Sequence, residues 1–176
     1  ITSAIARAKG SKNSRSAQII AFNGLLIGLF ISLVYTVILG FFPYEVFGLL
    51  SDSKEVIDGA VKYAEIGFGG AILTWLFFVL SSIIRGFGDT YAPAKAIIIA
   101  GFFQIILSGL FTSGFGSILD LGVAGPAAAM ITCHAFAALF LIRKIIVSNS
   151  ILSFHNCFID WNSISNILRV GGLGLI

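Results

Sequence analysis

The chain has 176 residues, of which 57% are hydrophobic and 11% charged, and its mean hydropathy is +1.01. A domain that folds in water carries about 25% charged residues, so this composition excludes an ordinary soluble protein and favours one that lies in a lipid bilayer. The formal net charge is only +3 and the basic residues lie between apolar segments, which excludes a nucleic-acid-binding surface. Cys133 and Cys157 lie in an apolar segment and a polar connector, so we expect no disulfide between them.

Four apolar segments are long enough to cross the hydrocarbon core as helices, which takes about 20 residues each. These predicted spans cover residues 17–42, 66–84, 96–119 and 121–142. Helices are expected because a lipid-exposed backbone must satisfy its own hydrogen bonds. Residues 1–8 have the pattern of the end of a preceding helix, and residues 164–176 that of the beginning of a following one. The sequence therefore predicts an all-α polytopic bundle, and we expect it to be an internal fragment of a longer protein.

The connectors between these spans alternate in charge. The first, third and fifth, near residues 7–15, 85–95 and 143–163, are basic, whereas the second holds Lys54 and Lys62 among acidic residues. The fourth connector holds only Asp120. Short basic connectors stay in the cytoplasm, so we expect the first, third and fifth on the cytoplasmic side of the plasma membrane. This alternation is what four consecutive spans require.

The acidic second connector predicts a short helix of its own. An apolar stripe at helical spacing runs through residues 54–65, and Asp52 or Ser53 is expected to cap the beginning of this helix. We interpret it as an interfacial helix that leads into the second span.

The third connector contains the stretch "SSIIRGFGDT" at residues 81–90, for which we considered three interpretations. A dinucleotide-binding loop requires a third glycine where the chain has Tyr91. An intramembrane aspartyl protease is compatible with "GFGD", but it needs two carboxylates that share a proton, and Asp89 is alone. The third interpretation is a turn between two helices, in which Gly86 and Gly88 adopt positive φ, Asp89 or Thr90 caps the next helix, and Pro93 lies in its first turn. That interpretation leaves the position of Arg85 unexplained.

A family resemblance accounts for the whole motif. The stretch "LSSIIRGFGDTYAPAKAIIIAGFFQIILSGLFTSGFG…LGVAGPAAAM" resembles the half-repeat of multidrug and toxic compound extrusion (MATE) transporters, whose pattern is like "LSGxLRGxGDTxxP…LGVxGAAxAT". "SAIARAKGSKNSRSAQ" is similar to the family's turn between helices 2 and 3, and "DWNSISNILRVGG" to the lead into helix 7. The resemblance covers nearly the whole chain.

The resemblance implies a secondary antiporter of twelve helices in two six-helix lobes, of which this chain holds the end of helix 2 to the start of helix 7. Such a protein exports amphipathic or cationic organic compounds in exchange for H⁺ or Na⁺ and is not an enzyme. No cofactor or metal is implied. The implied partners are the lipid bilayer, small organic substrates, and helices 1–2 and 7–12 of the same chain. The motif from Arg85 to Pro93 becomes scaffold at the cytoplasmic end.

The chain also departs from the family pattern. The Asn and Asp that the family has one turn apart on helix 5 fall on Gln104 and Ser108, and the Thr of helix 6 falls on or near Met130. No carboxylate then remains within the four predicted spans. A buried acid is the natural carrier of H⁺ or Na⁺, so we expect either that the coupling ion binds outside this chain or that the protein belongs to a divergent branch with another form of coupling.

Four polar residues within the spans are candidates for lining a cavity: Asn23, Gln104, Ser108 and His134. An imidazole titrates near neutral pH, so His134 fits a proton relay as well as a packing histidine that bonds to a neighbouring hydroxyl or carbonyl. The other three fit helix-to-helix hydrogen bonds as well as substrate contact. A lipid or lipid-linked flippase of related fold is the alternative function that we retain, with the intramembrane protease behind it.

Overall fold

The computed structural model describes residues 1–114, 120–147 and 158–173, with side chains described as far as Arg169. Within these ranges the chain is helical and contains no strand, which confirms the prediction of an all-helical bundle. The helices are α1 (Thr2–Gly10), α2 (Ser14–Phe41), α3 (Pro43–Gly48), α4 (Lys54–Gly69), α5 (Ala71–Gly86), α6 (Tyr91–Ser113), α7 (Gly125–Val147) and α8 (Trp161–Leu173).

Helix α5 lies at the centre of the bundle, between α2 on one side and α7 on the other. Its buried side chains include Phe77, Ile83 and Ile84. The face of α2 that meets it carries Gly28, where a Cβ would collide with Val79, whereas Gly24 packs against Ile1. In lipid, helices associate mainly through such close packing rather than through the hydrophobic effect.

Helices α6 and α7 form the most extensive helix pair. A Cβ added at Gly125 would lie 2.6 Å from the backbone nitrogen of Thr112, so glycine is required for α7 to begin so close to α6. A 3-10 turn, Gly122–Ala124, precedes α7, and Pro126 lies in its first turn, where proline is tolerated.

The helix boundaries differ from the predicted spans 96–119 and 121–142. Helix α6 ends at Ser113 because Gly114 has φ 67°, a conformation that stops a helix; residues 115–119 lie outside the described residues. Helix α7 extends beyond residue 142 through Arg143 and Lys144. A lysine or arginine near the end of a membrane-spanning helix can extend its charged group to the water beyond the membrane. A charged residue at this position therefore does not end the helix.

The predicted second span, 66–84, is wrong as a single straight helix. Helices α4 and α5 meet at Gly70 with a bend of 51°. At the break, Gly70 packs so closely against Ile131 of α7 that a Cβ at this position would collide with it. The predicted short helix 54–65 is therefore the first part of α4, which runs on to Gly69 without a break. The cap expected of Asp52 or Ser53 is also wrong, since Ser53 precedes α4 without a side-chain capping bond.

In the part of the chain that the structure describes, three helical segments are long and apolar enough to cross a membrane: Ser14–Phe41, Tyr91–Ser113 and Gly122–Val147. The bent pair α4–α5 makes a fourth if it is counted as one span. Many large apolar side chains on these segments are exposed, among them Phe30, Ile105 and Phe136. An exposed apolar surface of this extent suits contact with lipid.

The two terminal predictions fall on α1 and α8. The helix expected at residues 1–8 is α1, which continues to Gly10. The helix expected at 164–176 begins earlier, at Trp161, because the Asp160 carboxylate accepts hydrogen bonds from the backbone N–H groups of Asn162 and Ser163. Residues 174–176 lie outside the described residues, as do 148–157 of the predicted basic connector 143–163, including Cys157.

Candidate functional site

The motif Arg85–Pro93 forms the turn between α5 and α6. Gly88 has φ 97°, and its N–H donates to the Arg85 carbonyl while the Asp89 N–H donates to the Ile84 carbonyl. These two bonds close the end of α5 in the manner of a glycine-terminated helix. Pro93 is buried in the first turn of α6, as predicted.

Asp89 caps α6 with its side chain. Its Oδ1 accepts a hydrogen bond from the Ala92 N–H at 3.0 Å, and its Oδ2 lies 3.4 Å from Lys144 Nζ on α7. The Ala92 N–H bond first, and the Lys144 ammonium after it, hold the pKa of the Asp89 carboxyl below its ordinary value. Thr90, the other predicted cap, makes no side-chain capping bond.

Two residues of the motif have other roles than the sequence suggested. Gly86 does not adopt positive φ; it is buried in the last turn of α5, where a Cβ would lie 2.7 Å from Ile5 Cβ. It is needed because α1 passes so close. Arg85 is exposed, and its Nε donates to the Ser81 carbonyl at 3.2 Å, within its own helix. Among the described residues, no second carboxylate accompanies Asp89.

The basic connectors meet at one end of the bundle. Lys9, in the last turn of α1, donates a hydrogen bond to the Phe87 carbonyl at the end of α5, and its ammonium lies 5.9 Å from the centre of the Phe87 ring. The Asp89–Lys144 ion pair joins the beginning of α6 to the end of α7. The first and third connectors, both predicted to be cytoplasmic, and the end of α7 are thus on the same side of the molecule.

His134 is buried on the face of α7 that packs against α5. Its Nδ1 lies 3.3 Å from the hydroxyl oxygen of Thr74, and its ring stacks on Phe77 at a centroid distance of 5.1 Å and an angle of 12°. Phe78 meets the same ring edge-on at 5.6 Å. These contacts are those of a histidine that joins two helices. Thr74 carries no signal in the sequence that would have identified it as the partner.

Asn23 is fully buried on α2, and its side chain makes three hydrogen bonds to backbone atoms. Nδ2 donates to the carbonyls of Ile19 at 2.8 Å and Phe158 at 3.1 Å, and Oδ1 accepts from the Asp160 N–H at 3.1 Å. Asn23 therefore anchors the segment that leads into α8. It was predicted as a cavity-lining candidate, but its hydrogen-bonding groups are taken up by the chain itself.

Gln104 and Ser108 lie one turn apart on α6 and are both half-buried. At about 3.6 residues per turn, Gln104 and Ser108 are rotated around α6 by about 80° from the buried Ala96 and Ala100, so they lie on an adjacent face of the helix. Within the described part of the chain, neither side chain has a hydrogen-bond partner, so no hydrogen bond joins this pair to His134 or Asn23. Of the four candidates, these two alone present free polar groups at the bundle surface.

The described parts of α2, α5, α6 and α7 contain no Asp or Glu. The bend at Gly70 adds to this picture, because α4 belongs to the same broken span and carries three carboxylates: Glu55 and Glu65, which are exposed, and Asp58, which is half-buried. Among the described residues, no three His, Cys, Asp or Glu side chains are grouped as a metal site requires.

Two buried hydroxyl groups were not identified from the sequence. Ser32 on α2 is fully buried and Ser81 on α5 nearly so, and neither hydroxyl oxygen has a partner among the described residues. Next along α2, Thr36 donates to the carbonyl of Phe68 at 2.8 Å, two residues before the bend. Serines in apolar segments are common, and only the structure shows which of them are buried.

Comparison with known proteins gives one family. The family model described as MatE matches residues 1–110. The "Probable multidrug resistance protein YoeA" of Bacillus subtilis is 26% identical over 80% of this chain and 30% of its own length. The "Probable multidrug resistance protein NorM" of Thermotoga maritima is 25% identical over 97% of this chain and 37% of its own. The chain thus spans about a third of the length of these relatives.

The fold also matches solved structures. One of them, described as the inward-facing conformation of a multidrug resistance MATE family transporter of the MOP superfamily, superposes with a TM-score of 0.88 at 24% identity. The match covers 97% of this chain and 38% of that one. The polytopic helical bundle predicted from the apolar segments and from the family resemblance is confirmed by this likeness.

Proposed function

Since the chain belongs to the MatE family, we propose that it is part of a secondary antiporter that exports amphipathic or cationic organic compounds in exchange for H⁺ or Na⁺. The observation that carries this proposal is the family match over residues 1–110 on a bundle of the corresponding fold. The chain spans only about a third of its relatives' length, so transport is a property of the whole protein. Lipid and the remaining helices of the same chain are its immediate partners.

Gln104 and Ser108 support a place for this chain in a substrate pathway. Their side chains are half-buried on α6 and have no partner among the described residues. Polar groups within a membrane are costly unless they meet a protein partner or a water-filled cavity. We infer that this face of α6 turns to the cavity between the two lobes.

The coupling ion is proposed to bind outside this chain. The described parts of α2, α5, α6 and α7 hold no carboxylate, and the three carboxylates of α4 are exposed or half-buried rather than enclosed. The contacts of His134 with Thr74 and Phe77 favour packing over a proton relay. Placing an acid on the free face, as in Ser108→Asp, should change the ion dependence of export if that face holds a latent ion site.

A lipid or lipid-linked flippase of related fold is the second candidate. The observation that favours it is the same shortage of carboxylates in the described helices, because a flippase need not neutralise a coupling ion there. Two observations disfavour an intramembrane protease. The relatives are named as multidrug resistance proteins, and Asp89 pairs with Lys144 rather than with an acid.

The test of transport is efflux of a fluorescent cationic dye from cells that express the complete gene, with the Na⁺ and H⁺ gradients collapsed in turn. Loss of efflux with one gradient identifies an antiporter and its ion. Retention of dye under every condition, in cells in which the protein is detected in the plasma membrane, contradicts the proposal and favours a lipid-linked substrate.

A further inference from the structure

An apolar groove of about 410 Å³ runs along the seam between α6 and α7. Its floor consists of the small side chains of Ala96 and Ala100 on α6 and Ala137 on α7, all buried. Phe103 and Phe136 stand at its rims and are more than half exposed. Every side chain that lines the groove is apolar, so the groove offers van der Waals contact and no hydrogen bond.

The groove lies within two helices that are long and apolar enough to cross the membrane. At that depth water has no polar partner on these walls, and an empty groove would forfeit the dispersion contacts of its lining. The surface therefore fits a flexible apolar occupant of the width of an alkyl chain.

One end of the groove is basic. Lys95 lies one helical turn before the lining residue Ile99, and Arg143 lies three residues after the lining residue Phe140. Residues three and four apart share a helix face, so both charges continue the groove at the end where α6 begins and α7 ends. The Lys144–Asp89 ion pair shows that these two helix ends are adjacent.

The two charges at this end are not neutralised within the described part of the chain. Lys95 and Arg143 are exposed and make no ion pair with a described residue, whereas the neighbouring Lys144 is paired with Asp89. An organic cation would be repelled by this end of the groove. A group with a long apolar tail and an anionic head matches both parts.

We propose that the α6–α7 groove is a binding site for an anionic phospholipid. One acyl chain lies over Ala100 and Ala137 between the phenylalanine rims, and the headgroup phosphate accepts hydrogen bonds from Lys95 and Arg143. Basic pockets between helices at the cytoplasmic face are suited to such headgroups, and guanidinium–phosphate bonds are strengthened by charge. The site is independent of what the whole protein transports.

The headgroup contact is tested on the complete protein by native mass spectrometry in detergent, with phosphatidylglycerol and phosphatidylcholine of identical acyl chains. The double variant Lys95→Gln/Arg143→Gln should lower the affinity for phosphatidylglycerol about tenfold or more and leave phosphatidylcholine binding unchanged. The control Lys12→Gln/Arg15→Gln removes the same charge from exposed residues at the same end, away from the groove. Equal losses in both variants, or no loss in the first, overturn the proposal.

The acyl contact is tested by tryptophan fluorescence of the complete protein, with Trp75, Trp161 and every other native tryptophan replaced by phenylalanine, in phosphatidylcholine nanodiscs that contain brominated phosphatidylglycerol. Phe136→Trp places the probe at the groove, and Phe30→Trp places it on α2 at a similar exposure, 67% for Phe30 against 69% for Phe136. Quenching at position 136 should reach half its maximum at a lower fraction of brominated lipid than at position 30. Parallel quenching would mean bulk lipid only. Absence of quenching at 136 would mean that another part of the protein covers the groove.

Discussion

Asn23 shows how much a single polar side chain can decide in an apolar helix. Its side chain uses both its oxygen and its nitrogen to hold the backbone of residues 158 and 160, which are far away in the sequence. The sequence marked it as polar within a span, and that much was predictable. Its role was not, because its partners are main-chain atoms that no residue type identifies.

Replacing Asn23 by Ala should destabilise the complete protein. The Phe158 carbonyl and the Asp160 N–H lose their partner, and an unsatisfied buried polar group costs about 1–3 kcal/mol. We expect a lower melting temperature and faster proteolysis of the connector before α8. Asn166→Ala is the matched control, since Asn166 is exposed on α8 and makes no bond to a described residue. A parent-like Asn23→Ala variant would show that the anchor is not formed.

The Asp89 carboxylate should make stability dependent on acid pH. Its folded pKa lies below the ordinary aspartate value of about 3.9, so its contribution is complete above that pH and is lost as the pH falls through the lowered folded pKa. Asp89→Asn keeps an acceptor for the Ala92 N–H and loses the ion pair, which at this exposure contributes about 0.2–1 kcal/mol. Asp89→Ala also loses the cap, at a further cost of about 1 kcal/mol.

Thermal unfolding of the complete protein between about pH 3 and about pH 7 measures the order of stability of the parent, Asp89→Asn and Asp89→Ala. The difference between parent and Asp89→Asn should shrink toward the acid end of that range. When Lys144→Met is introduced into both proteins, most of the difference in stability between the parent and Asp89→Asn should disappear at neutral pH, because the ion pair has then lost its cation. A difference that is constant over the whole range would exclude the carboxylate charge as its cause.

His134 should act as a packing residue. Its imidazole stacks on Phe77 and bonds to Thr74, and a glutamine at this position retains a hydrogen-bonding group while it cannot relay a proton near neutral pH. We expect His134→Gln to reduce stability while the pH dependence of dye efflux stays as in the parent. Thr74→Val, which removes only the hydroxyl partner, is the control for the hydrogen bond. A lost or displaced pH profile in His134→Gln alone would restore the proton relay.

At the scale of the elements, the bend between α4 and α5 separates what the sequence can predict from what it cannot. Hydropathy located the apolar segment near residues 66–84, and helical spacing located the helix before it. The break lies at Gly70, which packs against Ile131, a residue 61 positions further along the chain. The local sequence does not distinguish the two glycines, although Gly70 packs against Ile131 and Gly69 faces open space.

This difference gives a paired prediction. Gly70→Ala should destabilise the protein by about 1–3 kcal/mol, since the added methyl group collides with Ile131. Gly69→Ala should be neutral or slightly stabilising, because no atom lies within 4 Å of its added Cβ and alanine favours the helix. Ile131→Ala combined with Gly70→Ala should recover part of the loss, which unfolding of the three variants and the parent would measure. Equal effects at positions 69 and 70 would contradict the packed bend.

At the scale of the whole molecule, the charges of the connectors predicted which connectors lie on the same side, and no single helix could have predicted this. The connectors near residues 7–15 and 85–95 and the end of α7 meet at one end of the bundle, through the contacts of Lys9 with Phe87 and of Lys144 with Asp89. An alternating pattern of basic connectors was readable from the sequence because it depends on composition alone. The pairing of these connectors was not readable, since it depends on which helices are neighbours.

The orientation in the membrane can be tested with single cysteines in the complete protein carrying Cys157→Ser. Lys12→Cys lies in the basic first connector and Lys54→Cys in the acidic second one, and both positions are exposed. A membrane-impermeant maleimide should label position 54 in intact cells and position 12 only after permeabilisation. Because Cys133 is buried, it should contribute little background. The reverse labelling pattern would invert the proposed topology.

The anchor at Asn23 has a consequence for how this protein can diverge. Because Asn23 binds the main chain at 158 and 160, replacement of the Phe158 side chain leaves the carbonyl acceptor in place, and at position 160 only proline removes the N–H donor. We therefore expect related chains to keep the asparagine while position 158 drifts freely. Since the partners are main-chain atoms, no compensating pair of substitutions would arise. The contact between α2 and the beginning of α8 would therefore leave no covariation signal, although it holds the beginning of α8 against the bundle.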